Sequence, residues 1–112
     1  MKWFKITTDD LKSAVVGPKT KIQYSIGEWT YPVIPNSKLF VYREDEFFGQ
    51  VGSNERAFEC EVMEPELLEF RAESFTLDEV IRRFWQGDRS TVNLISDSLW
   101  VVSAVKLIKE VK

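Results

Sequence analysis

The chain has 112 residues, 44% of them hydrophobic and 29% charged, with a formal net charge of −3; that is the length of one ordinary domain and too apolar a composition for disorder. It contains no histidine and a single cysteine, Cys60, which excludes Ser-His and Cys-His nucleophilic pairs, histidine bases, cysteine-rich metal sites and an intramolecular disulfide. No apolar run approaches the ~18 residues that span a bilayer, and Met1 leads straight into the alternating KWFKITT rather than a signal core, so the expectation is a soluble, cytoplasmic protein with no membrane, metal or cofactor.

In chain order, residues 2 to 7 form a first strand candidate whose alternation is imperfect. Thr7 or Thr8 then stands where a helix N-cap would, with Asp9 and Asp10 in the first turn and Leu11, Ala14 and Val15 at helical spacing before Gly17-Pro18; this predicts a short N-terminal helix. In KIQYSIGEW, Ile22, Tyr24 and Ile26 alternate with Lys21, Gln23 and Ser25, the pattern of a strand buried on one face. Trp29, Tyr31 and Val33 follow at period two until Pro32 and Pro35 end any ladder, so this stretch reads as an edge or a loop.

The unbroken run Leu39 to Tyr42 predicts a central strand covered on both sides. After a charged segment with one helical turn and a loop around Gly52-Ser53-Asn54, RAFECEVM places Phe58, Cys60 and Val62 on one face and Ala57, Glu59, Glu61 and Met63 on the other, a strand with one wet face. Leu67, Leu68 and Phe70 continue as strand or loop.

A helix is predicted from about residue 77 to 86. Thr76 and Glu79 make a capping box, Phe75 and Val80 a hydrophobic staple, and Leu77, Val80, Ile81, Phe84 and Trp85 one apolar stripe, with Gly87 as the stop. The chain closes with a turn at Asp97-Ser98 and a β-branched run from Val101 to Ile108, read as a terminal strand with a helix as the rival. Together these elements predict a single α+β domain over residues 1–112: a small mixed or antiparallel sheet near residues 22, 40 and 60, with one main amphipathic helix and one short N-terminal helix packed on it.

The charge is uneven. Residues 55 to 79 carry two basic and nine acidic groups, against seven and six before them and six and three after. A local acidic stripe disfavours sequence-independent nucleic-acid binding and suits a basic protein partner. Glu59 and Glu61, two apart on a strand, project from one face; the same pattern describes a solvated face. Cys60, between them on the apolar side, reads as an inert core thiol. Trp29, Tyr31, Trp85 and Trp100 either build the core or line a binding surface, with the exposed position favoured for Trp29 and Tyr31 beside their prolines, and Arg43 as a source of charge. The candidate binding residues are therefore Trp29, Tyr31, Arg43, Glu59 and Glu61, with no catalytic or metal-binding residue among them. No P-loop, dinucleotide-fold or hydrolase-elbow motif is present.

The order of segments, IQYSIGEW followed by prolines, KLFVY, AFECEV, a helix ending in FW and a closing AVKLIKEV, resembles a group of small phage and bacterial proteins of unknown function that share such segments over most of the chain. That resemblance implies a phage or mobile-element origin. A second likeness, to the split sheets of small ADP-ribosyltransferase-like domains, implies a nucleotide-handling enzyme with Tyr24, Arg43 and Glu61 in its pocket. The leading expectation is a non-catalytic protein that binds a partner through the loop from Trp29 to Pro35 or through the acidic stripe; a virion structural component is a further alternative, and the oligomeric state is open.

Overall fold

The computed structural model describes residues 2–14, 21–45, 47, 51–68, 77–88 and 99–111. Seven strands run in the order β1 (Trp3–Thr8), β2 (Trp29–Thr30), β3 (Leu39–Arg43), β4 (Glu55–Met63), β5 (Glu66–Leu68), β6 (Leu99–Val102) and β7 (Ala104–Glu110), with one helix, α1 (Asp78–Trp85), between β5 and β6. The sheet order is β2-β7-β4-β1-β3-β6-β5, and every strand pair is antiparallel.

Four of these strands are halves of two longer ones, β4 with β5 and β6 with β7. Met63 pairs with Ala104 at the end of β4–β7, and Glu66 pairs with Val101 at the start of β5–β6, so one register runs through both pairs and places Glu64 opposite Ser103. There the long strands bend together. Glu64 adopts φ +51, the Ser103 amide donates to the Met63 carbonyl at 2.8 Å, and the Ser103 hydroxyl donates to the Glu64 carboxylate. Because β4 also pairs with β1, β1 with β3, and β3 with β6, the pairings form a closed circuit and the sheet curls into a small barrel. A bulge between Glu59 and Cys60 leaves Ile108 as the extra residue of β7 and adds to the curl.

Cross-strand partners share a face, so the registers sort the side chains. The inner face carries Leu39, Val41, Phe58, Cys60, Val102, Val105 and Leu107, which join Ile22 and Tyr24 in one buried cluster with Trp3, Leu11, Val62 and Trp100 at its margin. The outer face is divided. Over one part lies α1, whose Ile81 and Phe84 pack with Ile34 against Phe40, Leu68 and Trp85; the rest is open.

The α+β expectation is thus corrected: the protein is mostly antiparallel sheet with one eight-residue helix. The predicted N-terminal helix is absent from residues 9–14, and residues 15–20 lie outside the described residues. The Leu11 amide turns back onto the Thr8 carbonyl at 3.0 Å, the Thr8 hydroxyl accepts from the Lys12 amide at 3.0 Å, and Leu11 sits at φ +62. The would-be N-cap threonine closes a tight turn instead, the local competition that Thr side chains offer to a helix. Lys12 and Ser13 then bridge to Gln23 and Thr7.

Residues 21–26 are likewise not a strand of the sheet. They cover the core from outside, held by hydrogen bonds from Tyr24 N to Leu11 O at 2.7 Å and from Ser13 N to Ile22 O at 3.0 Å, with Ile22 and Tyr24 directed into it and their neighbours exposed. The alternation marks Ile22 and Tyr24 correctly as inward, whereas Ile26, expected on the same face, is 50% exposed where it bridges to Leu107; it is a plug rather than a ladder that uses the pattern. The helix starts at Asp78 with Leu77 as N-cap and no side-chain cap, Glu79 pairing instead with Arg83 at 2.6 Å; Phe75 and Thr76, on which the staple and capping box depended, lie outside the described residues, as do residues 91–98 with their expected turn. Its C-terminus is a Schellman motif: Gly87, at φ +104, donates to Phe84 O at 3.1 Å and Asp88 to Arg83 O at 2.9 Å.

Candidate protein-binding face

Three of the five candidate residues meet on the open part of the outer face. Trp29 on β2 pairs with Lys106 on β7, and Lys106 with Glu61 on β4, so the three side chains stand in one row. The Lys106 ammonium lies 5.9 Å from the centre of the Trp29 ring and 3.8 Å from the Glu61 carboxylate. In a second row, Glu59 pairs with Phe4 and Phe4 with Tyr42, and Lys2 reaches Glu59 at 3.8 Å. Phe47 stacks on Phe4 with centroids 4.5 Å apart and planes 12° from parallel, and lies 6.4 Å from Tyr42.

Tyr31 continues from the Trp29 row and is 56% exposed; Val33 is 61% exposed. This segment leaves β2 at the end of the sheet order, where Pro32 and Pro35 deny it the amides a further strand would need. Arg43 does not join the group. It belongs to the inner face at one end of the barrel, where its guanidinium stacks 5.2 Å from the Trp100 ring and makes a two-pronged contact with Asp45 at 2.9 and 2.5 Å; Trp100 in turn meets Trp3 edge-on at 5.3 Å. That arginine holds the Asp45 carboxyl below the usual carboxylate range. Tyr24 is in the interior and Glu61 on the outer surface, so Tyr24, Arg43 and Glu61 do not line one pocket.

Most of the acidic stripe is already engaged. Lys2 meets Glu59, Lys106 meets Glu61, Arg83 meets Glu79, Glu64 accepts from Ser103, and Glu55 accepts from the Gly52 amide at 2.7 Å. The strands adjoining β4 bring Lys2 and Lys106 from distant parts of the sequence, so part of the surplus counted along the chain is offset on the surface. These exposed pairs contribute only ~0–1 kcal/mol each to stability.

The group that sequence reasoning missed is in the interior. Lys5 is buried at 7% exposure, its ammonium donating to the Phe40 carbonyl at 2.7 Å and lying 5.4 Å from the Tyr24 ring. β1 and β3 pair only at Trp3–Arg43 and Phe4–Tyr42, and Phe40 is two residues past the last of these. Lys5 therefore satisfies a carbonyl at the seam where the two strands part, a buried acceptor that would otherwise be costly. Burial drives the Lys5 pKa down to about 8, partly offset by Cys60. Burial likewise pushes the Cys60 thiol up to about 12, with Lys5 acting to lower it and Glu59 adding a smaller upward push; the dominant cause is the core, not the flanking carboxylates. Tyr24 is raised above its ordinary value for the same reason, with the Ser13 side chain acting to lower it. The signal for Lys5 was present in WFKITT, where period two puts Lys5 and Thr7 on the side of Trp3.

No group of three or more acidic, cysteine or histidine side chains suited to a metal ion occurs among the described residues, and no helix among them is long and apolar enough to cross a membrane. Comparison with protein-family models, with curated proteins and with solved structures finds no match.

Proposed function

We propose that this protein is a non-catalytic binding module that engages another protein through the open outer face, with the edge segment from Trp29 to Val33 as its centre. The observation that carries this reading is the exposure of Tyr31 and Val33 beside half-buried Trp29 at the end of the sheet. Large apolar side chains presented together on a rigid edge, next to charges that can pair, are the composition of interface hot spots. The pairing of Glu59, Glu61 and Glu79 with cations shifts the weight of the proposal from the acidic surface to this edge. The resemblance of its segments to small phage and bacterial proteins would imply an origin in a mobile element, and so a host or phage protein as partner.

The test is a photo-crosslinker, p-benzoylphenylalanine, placed at Tyr31 and, as a control, at Leu67, which is 42% exposed on β5. A discrete protein adduct from position 31 in the source cells, lost in a Trp29→Ala background and absent from position 67, is expected. Adducts of equal yield at both positions, or none at either, would remove the edge as a binding site. Trp29→Ala should weaken the captured interaction by about tenfold or more, the cost of truncating a buried aromatic anchor.

A further inference from the structure

Four aromatic rings of this protein carry a cation over their faces among the described residues. Lys5 lies over Tyr24, Arg43 over Trp100, Arg56 over Phe58 at 5.1 Å, and Lys106 over Trp29. The stacked group of Phe4, Phe47 and Tyr42 has none among the described residues. It is a group of three rings on the open outer face, and Tyr42 is 42% exposed. Its neighbours are carboxylates: Glu59 stands next to Phe4 in the row, and Glu55 lies close enough to Tyr42 to add to the upward push that burial gives its phenol. Glu59, with Lys109 opposite it in register, meets Lys2 at 3.8 Å, a pair whose lysine side chain is 59% exposed and which an incoming cation can replace at little cost.

A ring face attracts a cation through its quadrupole, most strongly a planar guanidinium that stacks while its edge hydrogen-bonds a carboxylate. An anion would meet Glu55 and Glu59, and an aliphatic side chain would leave both carboxylates unpaired. We propose that the shelf of Phe4, Tyr42 and Phe47 takes an arginine side chain of a protein partner, with the guanidinium on the exposed Tyr42 ring and Glu59 as its counter-ion. This deepens the protein-binding reading and rests on it: the shelf lies on the same open face as Trp29, three to four strands away, and defines a partner whose contact segment carries arginine.

The intact chain, labelled with 15N, would be titrated with a peptide of alternating glycine and arginine and with the same peptide carrying citrulline, which keeps the shape and loses the charge. Saturable amide shifts centred on residues 2–4, 42 and 59 are expected for the arginine peptide alone. Tyr42→Ala should weaken binding about tenfold, Glu59→Gln about fivefold, and Lys2→Ala should tighten it two- to threefold by removing the competing ammonium. Leu77→Ser, on the exposed start of α1, should change nothing. Equal binding of the citrulline peptide, shifts spread over all acidic residues without saturation, or Tyr42→Ala and Glu59→Gln both without effect would overturn the inference. The two readings separate cleanly: a silent shelf with an intact Tyr31 adduct sinks the arginine site alone, whereas a working shelf with no Tyr31 adduct sinks the edge.

Discussion

The two faces of the barrel are made by the same strands, residue by alternate residue, yet they obey different rules. The inner face closes on itself, and what it buries includes an ammonium, a phenol and a thiol packed against one another. The outer face is apolar only where α1 and Ile34 cover it, and elsewhere pairs charges across strands and lays aromatic rings open. Burial in a small barrel is decided by what lies over each position rather than by its side of the strand: Ala57, Val101 and Ala104 are wholly buried although they point outward, and Lys5 is buried although it is charged.

The sharpest way to break this comparison is to remove one anchor from each face. Phe58 inside and Phe84 beneath the helix are both fully buried, so either change to alanine should cost about 3–5 kcal/mol in denaturant unfolding. If the helix is merely an addition to a self-sufficient barrel, Phe84→Ala will instead leave the main transition in place and lose only the helical signal; a single cooperative loss from both variants joins the faces into one unit.

A smaller effect isolates the buried ammonium. With the Lys5 pKa at about 8 when folded and 10.5 as its ordinary value, the unfolded chain binds more protons above pH 8, so stability rises with pH there. The rise should be about 1 kcal/mol between pH 8 and 9. Above pH 9 the trend reverses in part, because Cys60 keeps its proton up to about pH 12 in the folded state and ionises near 9 when unfolded. Lys5→Met in a Cys60→Ala background should flatten the rise, measured by urea unfolding at each pH; an unchanged slope would show that the ammonium is not desolvated at the seam. The smallest effect tests the helix end alone. Gly87→Ala meets no atom within 4 Å but must hold φ +104, so it should cost about 1 kcal/mol through backbone strain only.

Much of the local chemistry was legible in the chain. The alternation in KIQYSIGEW identified Ile22 and Tyr24 as inward, RAFECEVM separated Cys60 from Glu59 and Glu61, and Gly87 marked the end of the helix. Of the candidate site, Trp29, Glu59 and Glu61 fall on one face, while Arg43 goes to the other because its register with Trp3 turns it inward. The aromatic shelf was not legible at all, since Phe4, Tyr42 and Phe47 come from three separated segments and none stands in a pattern of its own.

What the amino-acid order determined by itself was the direction of side chains within each segment, because period and turn chemistry act over a few residues. Tertiary structure alone decided which segments pair, that two long strands bend together at Glu64 and Ser103 to close a barrel, that residues 21–26 plug it instead of extending it, and that two glutamates of the acidic stripe meet lysines from other strands. Those outcomes depend on contacts between residues far apart in the chain, whose free energy is gained only once the closure has been made, and no local pattern encodes it.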